Sequence, residues 1–208
     1  MEDTPTVGRT RWRRFAVAAV PSLAAAGALV VLMANGAIAA SFAVSGQQFK
    51  VSGDSLDGTG FVQFGGIDAS VGAAGAKVPH PVVVSGIAHA TIHNLCQSVV
   101  TPIPLLGDFT LQIHAGAAAD KPVTADNLVI DVTQLSGDAT FTNIEIGRDA
   151  FTLNKGPSGV TGAQNTFGQQ ADTVHINSFQ QSALSTNAGT FTLPGLHLSL
   201  VSGRHECF

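Results

Sequence analysis

The stretch Leu128-Val129-Ile130-Asp131-Val132 decides the fold, because every second side chain in it is apolar. Alternate side chains of a β-strand point to opposite faces, so this spacing predicts a strand with one buried face. The same period of two recurs in six other segments: residues 43–45, 49–51, 61–64, 109–113, 141–146 and 196–200. Clusters of glycine with Asn or Asp separate these segments and are typical of turns. The sequence therefore predicts an all-β domain.

A faint internal repetition suggests how the strands are arranged. Residues 125–131, Ala-Asp-Asn-Leu-Val-Ile-Asp, are echoed by residues 171–177, Ala-Asp-Thr-Val-His-Ile-Asn. Repeated β units are typical of stacked architectures. The repetition favours a parallel β-solenoid-like stack of irregularly repeated strands over an antiparallel β-sandwich.

The N-terminal segment predicts the compartment. Four arginines within residues 9–14 precede residues 15–34, which carry no charge, and Ala37-Ile38-Ala39 follows shortly after. The uncharged run is long enough for a membrane-spanning helix, whereas the small residues after it form a signal-peptidase site. We therefore expect a cytoplasmic basic tail at residues 1–14 and a hydrophobic helix, either membrane anchor or signal peptide, at residues 15–40. An extracytoplasmic domain follows at residues 41–208.

Two locations follow from these alternatives. An uncleaved chain is held at the outer face of the cytoplasmic membrane through residues 15–34, and a chain cleaved after Ala39 is secreted. The expected extracytoplasmic domain has six basic and twelve acidic residues, a net charge of −6. A surface of that sign repels nucleic acid and anionic lipid head groups at long range, so neither is an expected partner by charge attraction.

The two cysteines, Cys96 and Cys207, both follow the export segment. Disulfides persist in oxidising compartments, and a bridge between these residues would stabilise the fold by about 4–5 kcal/mol in the chain-entropy treatment. Two buried free thiols are the alternative.

No catalytic or metal-binding motif is present in the sequence. It contains no G-x-S-x-G nucleophile elbow, no H-E-x-x-H and no phosphate-binding loop. His89 and His93 would face the same side of a strand, but positions four apart are about 13 Å apart, too far to share one ion. The sequence therefore predicts no catalytic residue, no metal ligand and no cofactor, and it favours a protein that is not an enzyme.

Several longer segments resemble a known family. These are residues 40–51, 94–102, 125–147, 167–176 and 206–208. They resemble a family of exported, single-span bacterial proteins of unknown function, whose members often carry the automatic label cholesterol esterase. Members tend to be encoded beside a small multi-span membrane protein. The resemblance implies an envelope location and a possible multi-span membrane partner.

We therefore expect a cell-envelope binding or structural protein whose ligand the sequence does not name. The alternatives are a lipid-ester hydrolase, as the family label suggests, and a lipid carrier. The extracytoplasmic part contains eleven Phe but no Trp or Tyr, a composition that suits an apolar core or a groove for lipid.

Overall fold

The structure, a computed structural model, describes residues 46–71 and 76–208. Nine strands form one sheet: β1 (Phe49–Val71), β2 (Lys77–His93), β3 (Leu95–Ile103), β4 (Gly107–Ala115), β5 (Val123–Thr142), β6 (Glu145–Asp149), β7 (Phe167–Asn187), β8 (Thr190–Thr192) and β9 (His197–Ser202). One turn of 3₁₀ helix, Ala150–Thr152, follows β6. The predicted tail at residues 1–14 and the hydrophobic helix at 15–40 lie outside the described residues. Within the described ranges, no helix has the length and apolar character needed to cross a membrane.

Four long strands enclose the core. β1 pairs with β2 along one edge and with β7 along the other, while β5 pairs with both β2 and β7. The four strands therefore close a ring of pairings. Leu128, Ile130 and Val132 of β5 are buried, whereas Val129 and Asp131 are only partly covered, which confirms the alternation expected of this stretch.

A second part of the sheet extends from this ring. Asn94, in a left-handed conformation (φ 53°), links β2 to β3, and β3 then pairs with β1 residues 50–52. β3 and β4 form a hairpin, and β9 pairs with the far side of β4. We call these three strands and the β3–β4 turn the β3–β4–β9 arm.

The prediction of a parallel solenoid-like stack is wrong, whereas the all-β class is confirmed. Every strand pairing in the described residues is antiparallel. The two echoed segments lie in β5 and β7, which are neighbours that run in opposite directions. Their likeness reflects similar places in one ring of strands, since both alternate between the core and the outer face.

Some glycine-containing clusters that predict turns lie inside strands instead. Gly53, Gly58 and Gly65 are all internal to β1. A Cβ added at Gly58 would lie 2.8 Å from Cγ2 of Ile87 and 2.9 Å from Cγ1 of Val174. The absence of a side chain at Gly58 therefore makes room for core residues from both neighbouring strands. By contrast, residues 187–189 do form the predicted turn, between β7 and β8.

Candidate functional site

One face of the β3–β4–β9 arm is apolar and lies partly open. Direct cross-strand partners share a face, and the register places Val99 of β3, Leu111 of β4 and Leu200 of β9 in one row. Ile113 and Leu198 form part of the next row. We call the residues Val99, Phe109, Leu111, Ile113, Leu198 and Leu200 the apolar face. Leu198 and Leu200 are 58% and 65% exposed, so the β9 side of this face has no cover in the described residues.

The turn of the β3–β4 hairpin continues the apolar surface. Leu105 is fully exposed, Leu106 is 70% exposed and Ile103 is also exposed. Leu105 has φ 71°, a left-handed conformation that glycine or asparagine usually occupies. We call Ile103, Leu105 and Leu106 the apolar tip. Residues 97–107 contain no charged side chain, so the whole end of the arm is uncharged.

A groove lies where the apolar face meets the ring of strands. It has a volume of about 290 Å³ and is lined by Leu95, Gln97 and Ile113 of the arm and by Thr186, Ala188, Phe191 and Leu193. This volume is at the lower end of the range for small-molecule sites. The groove therefore has room for a small apolar group, and Phe191 is the one phenylalanine that lines it.

The opposite face of the arm is covered by residues 203–208. Thr110 Oγ1 donates to Gly203 O at 2.7 Å, and Gln112 Nε2 donates to His205 O at 2.7 Å. The structure joins Cys96 of β3 to Cys207 in a disulfide with a Cα–Cα distance of 5.9 Å, which supports the predicted pairing. The arm therefore has one face closed by its own chain and one face left open.

The outer surface of the ring carries histidines held by carboxylates. His89 Nδ1 lies 2.6 Å from Asp126 Oδ1, and His175 Nδ1 lies 2.6 Å from Asp57 Oδ1. The nearby Asp57 carboxylate raises the pKa of His175 through a hydrogen bond and its charge. The described residues contain no group of three or more His, Cys, Asp or Glu side chains placed to hold a metal ion.

A serine and a histidine meet at the end of the β1–β2 hairpin. Ser70 Oγ lies 2.8 Å from His80 Nε2, and Asp68 is the cross-strand partner of His80. Ser70 is buried and sits opposite Val78 in a regular strand. Nucleophilic serines of the elbow type stand on a strained turn at the surface, so this position differs from that arrangement.

The carboxyl group of Asp68 has a raised pKa. Its burial and, next, the charge of Asp131 raise the pKa of Asp68 to about 6, and His80 opposes the shift. Oδ2 of Asp68 is buried without a hydrogen-bond partner, and Asp131 also accepts a hydrogen bond from Ser185 Oγ. The second half of β1 therefore carries a carboxyl group beside another carboxyl group of β5.

Replacement of Asp68 by Asn should stabilise the protein above pH 6 and have little effect near pH 4. An acid whose pKa is higher in the folded state stabilises that state at low pH, and this contribution falls as the pH rises from 3.8 to about 6. The measurement is the melting temperature of wild type and Asp68→Asn across pH 4–8. Asp120→Asn, at an exposed position, is the control. A difference from wild type that does not change with pH would contradict the assignment.

The sequence did not single out the apolar tip. Prolines at 102 and 104 predict a crossing or a sheet edge, and the structure places them at the end of a hairpin. The missed signal is Leu105-Leu106 next to these prolines, because a tight turn usually carries polar residues.

The comparisons with known proteins identify a family. Residues 45–208 match a family of unknown function, DUF6230, and the chain belongs to that family. No curated protein and no solved structure matches the chain.

Proposed function

We propose that this family member is an extracytoplasmic protein of the bacterial cell envelope that binds lipid through the apolar tip. The observation that carries the proposal is the full exposure of Leu105 beside the exposed Leu106. Large apolar side chains that cluster on a protein surface mark interaction sites, and an isolated turn gains nothing from exposing two leucines to water.

The absence of charge at the tip, and not the net charge of the domain, favours lipid as the partner. The domain carries a net charge of −6, so it is not drawn to anionic head groups by long-range attraction. The first charged residue after the tip is Asp108, and Arg204 lies 3.3 Å from it. An uncharged tip can enter the boundary between head groups and acyl chains by burying its leucines, at no cost of desolvating a charge.

The location proposed from the N-terminal sequence makes such contact possible. Residues 15–34, if uncleaved, hold the chain at the outer face of the cytoplasmic membrane, where a lipid surface is always near. A cleaved, secreted chain would bind lipid reversibly through the tip and the groove, as a lipid carrier does.

The test places an environment-sensitive dye on the tip. Full-length Leu105→Cys is labelled and reconstituted into phosphatidylcholine vesicles that contain a lipid-borne quencher. We expect a blue-shifted emission that the quencher reduces. Ile67→Cys is the matched control, because Ile67 is 74% exposed but lies in β1, away from the arm. Equal, water-like emission from both positions would refute lipid binding by the tip.

Two other outcomes would assign different functions. A photocrosslink from position 105 to a multi-span membrane protein would support a protein partner in place of lipid. The Ser70–His80 pair is the one hydroxyl–imidazole hydrogen bond among the described residues, and it is therefore the candidate for a lipid-ester hydrolase. Fluorophosphonate labelling of Ser70 together with ester turnover, both lost in Ser70→Ala, would support that alternative.

A further inference from the structure

The two ends of the sheet differ in how they are protected from pairing with another chain. β6, at one end, carries Glu145, Arg148 and Asp149 and has a register shift between Ile146 and Arg148. Charges and bulges are the usual devices that prevent edge strands from pairing. β9, at the other end, has six residues with no formal charge and no proline, and its register with β4 is regular. The backbone edge of β9 is therefore available to pair with a strand of another chain.

The free side of β9 presents backbone groups at defined positions. Among the described residues, β9 pairs with β4 alone. Gly203 N–H donates to Asp108 O at 2.7 Å, and hydrogen-bonded pairs alternate along an antiparallel ladder. Ser199 and Val201 therefore bond to β4, whereas the backbone N–H and C=O groups of Leu198 and Leu200 point away from it.

We propose that β9 pairs antiparallel with β9 of a second copy of this chain, around a two-fold axis at Ser199. The segment Leu198-Ser199-Leu200 reads the same in both directions from Ser199. This register pairs Leu198 with Leu200 of the second copy, and Leu200 with its Leu198. The same patch then serves both copies, as a two-fold interface requires.

The surroundings of β9 favour a second copy as the occupant. The outward backbone groups of Leu198 and Leu200 would bond to each other across the axis, and both leucine pairs would lie on the apolar face. Residues 203–208 cross the opposite face of β3 and β4, through the hydrogen bonds from Thr110 and Gln112. His205 Nε2 lies 3.2 Å from Ser202 O at the end of β9, and the edge around Leu198 and Leu200 stays open. No formally charged side chain of β9 would meet its own copy across the axis. This interface goes beyond the proposed lipid binding and does not depend on it.

The first test is a symmetric crosslink. In the full-length protein, Ser199→Cys would face its own copy at a non-hydrogen-bonded position, where Cα atoms lie about 4.5 Å apart, within disulfide reach. Both native cysteines are already bonded, so the added thiol is free to react. We expect oxidation with copper phenanthroline to link Ser199→Cys into a dimer and to leave Ile146→Cys, on β6, unlinked. Equal crosslinking of the two variants, or none, would overturn the proposal.

The second test disrupts the edge without touching the core. Leu200→Lys should raise the dissociation constant of the dimer about tenfold or more, measured by sedimentation velocity of the full-length protein in detergent. Ile146→Lys is the matched control, since Ile146 is 66% and Leu200 65% exposed. Retention of the Cys96–Cys207 disulfide and of the wild-type melting temperature would show that the variants fold. A wild type that sediments as a monomer, or a Leu200→Lys variant that remains dimeric, would overturn the β9 interface.

Discussion

Replacement of Cys207 by serine is expected to lower the free energy of unfolding by about 2–5 kcal/mol. The disulfide joins residues 111 positions apart and closes a long loop, so its loss restores much of the freedom of the unfolded chain. Loss of the disulfide would also weaken hydrogen bonds that stabilise the folded state. Cys207 N–H donates to Ser98 Oγ at 3.0 Å, and His205 N–H donates to Thr110 Oγ1 at 2.9 Å. These hydrogen bonds depend on residues 203–208 remaining on the arm.

The matched control separates the bridge from the weaker contacts around it. Lys50 Nζ lies 3.4 Å from Glu206 Oε1 and 4.9 Å from the ring centroid of Phe208, and it donates to Phe208 O at 2.8 Å. Lys50→Ala removes all three contacts but keeps the disulfide, and partly exposed contacts of this kind contribute about 1 kcal/mol or less each. Equilibrium denaturation should therefore show a much larger loss for Cys207→Ser than for Lys50→Ala. Equal midpoints for wild type and Cys207→Ser would show that the bridge does not stabilise the fold.

The sequence predicts the positions of the strands well because local alternation is a property of the extended chain, but alternation alone does not determine which face is buried. Residues 128–132 lie in β5 and bury their alternating apolar side chains as expected. In residues 109–113 of β4 the polar Thr110 is buried instead, and Phe109, Leu111 and Ile113 are only partly covered. Strand lengths could not be predicted, because glycine inside a strand and glycine in a turn look alike in one sequence. β1 runs for 23 residues through Gly53 and Gly58 since partner side chains fill the space above them.

The pairing of the strands depends on contacts distant in sequence. β1 pairs with β7 from Phe49↔Ala183 to Phe64↔Gly168, more than one hundred residues apart, and no local pattern encodes this register. The candidate site was missed for a related reason. Leu198 and Leu200 show the same alternation as core strands, and only the sheet order reveals that they lie at an edge with one open face.

The ring of strands depends on a close fit between a glycine and an aromatic ring. Phe179 of β7 is 1% exposed and belongs to the main core, and Gly53 of β1 is its cross-strand partner. A Cβ added at Gly53 would lie 2.6 Å from Cε1 of Phe179 and 2.9 Å from the carbonyl oxygen of His93. The ring of Phe179 therefore occupies the space that a side chain at position 53 would need.

Phe179→Ala should lower the free energy of unfolding by about 3–5 kcal/mol, because it leaves a cavity in a packed core. Gly53→Ala should cost about 1–3 kcal/mol, because the new methyl group forces the ring or β2 to move. The losses of unfolding free energy in the two single variants should not be additive. Removal of the ring gives the methyl group room, so Gly53→Ala should cost less in the Phe179→Ala background, where the contact with the His93 carbonyl oxygen remains. Denaturation of all four proteins measures this interaction energy, and additivity within about 0.5 kcal/mol would contradict the close fit.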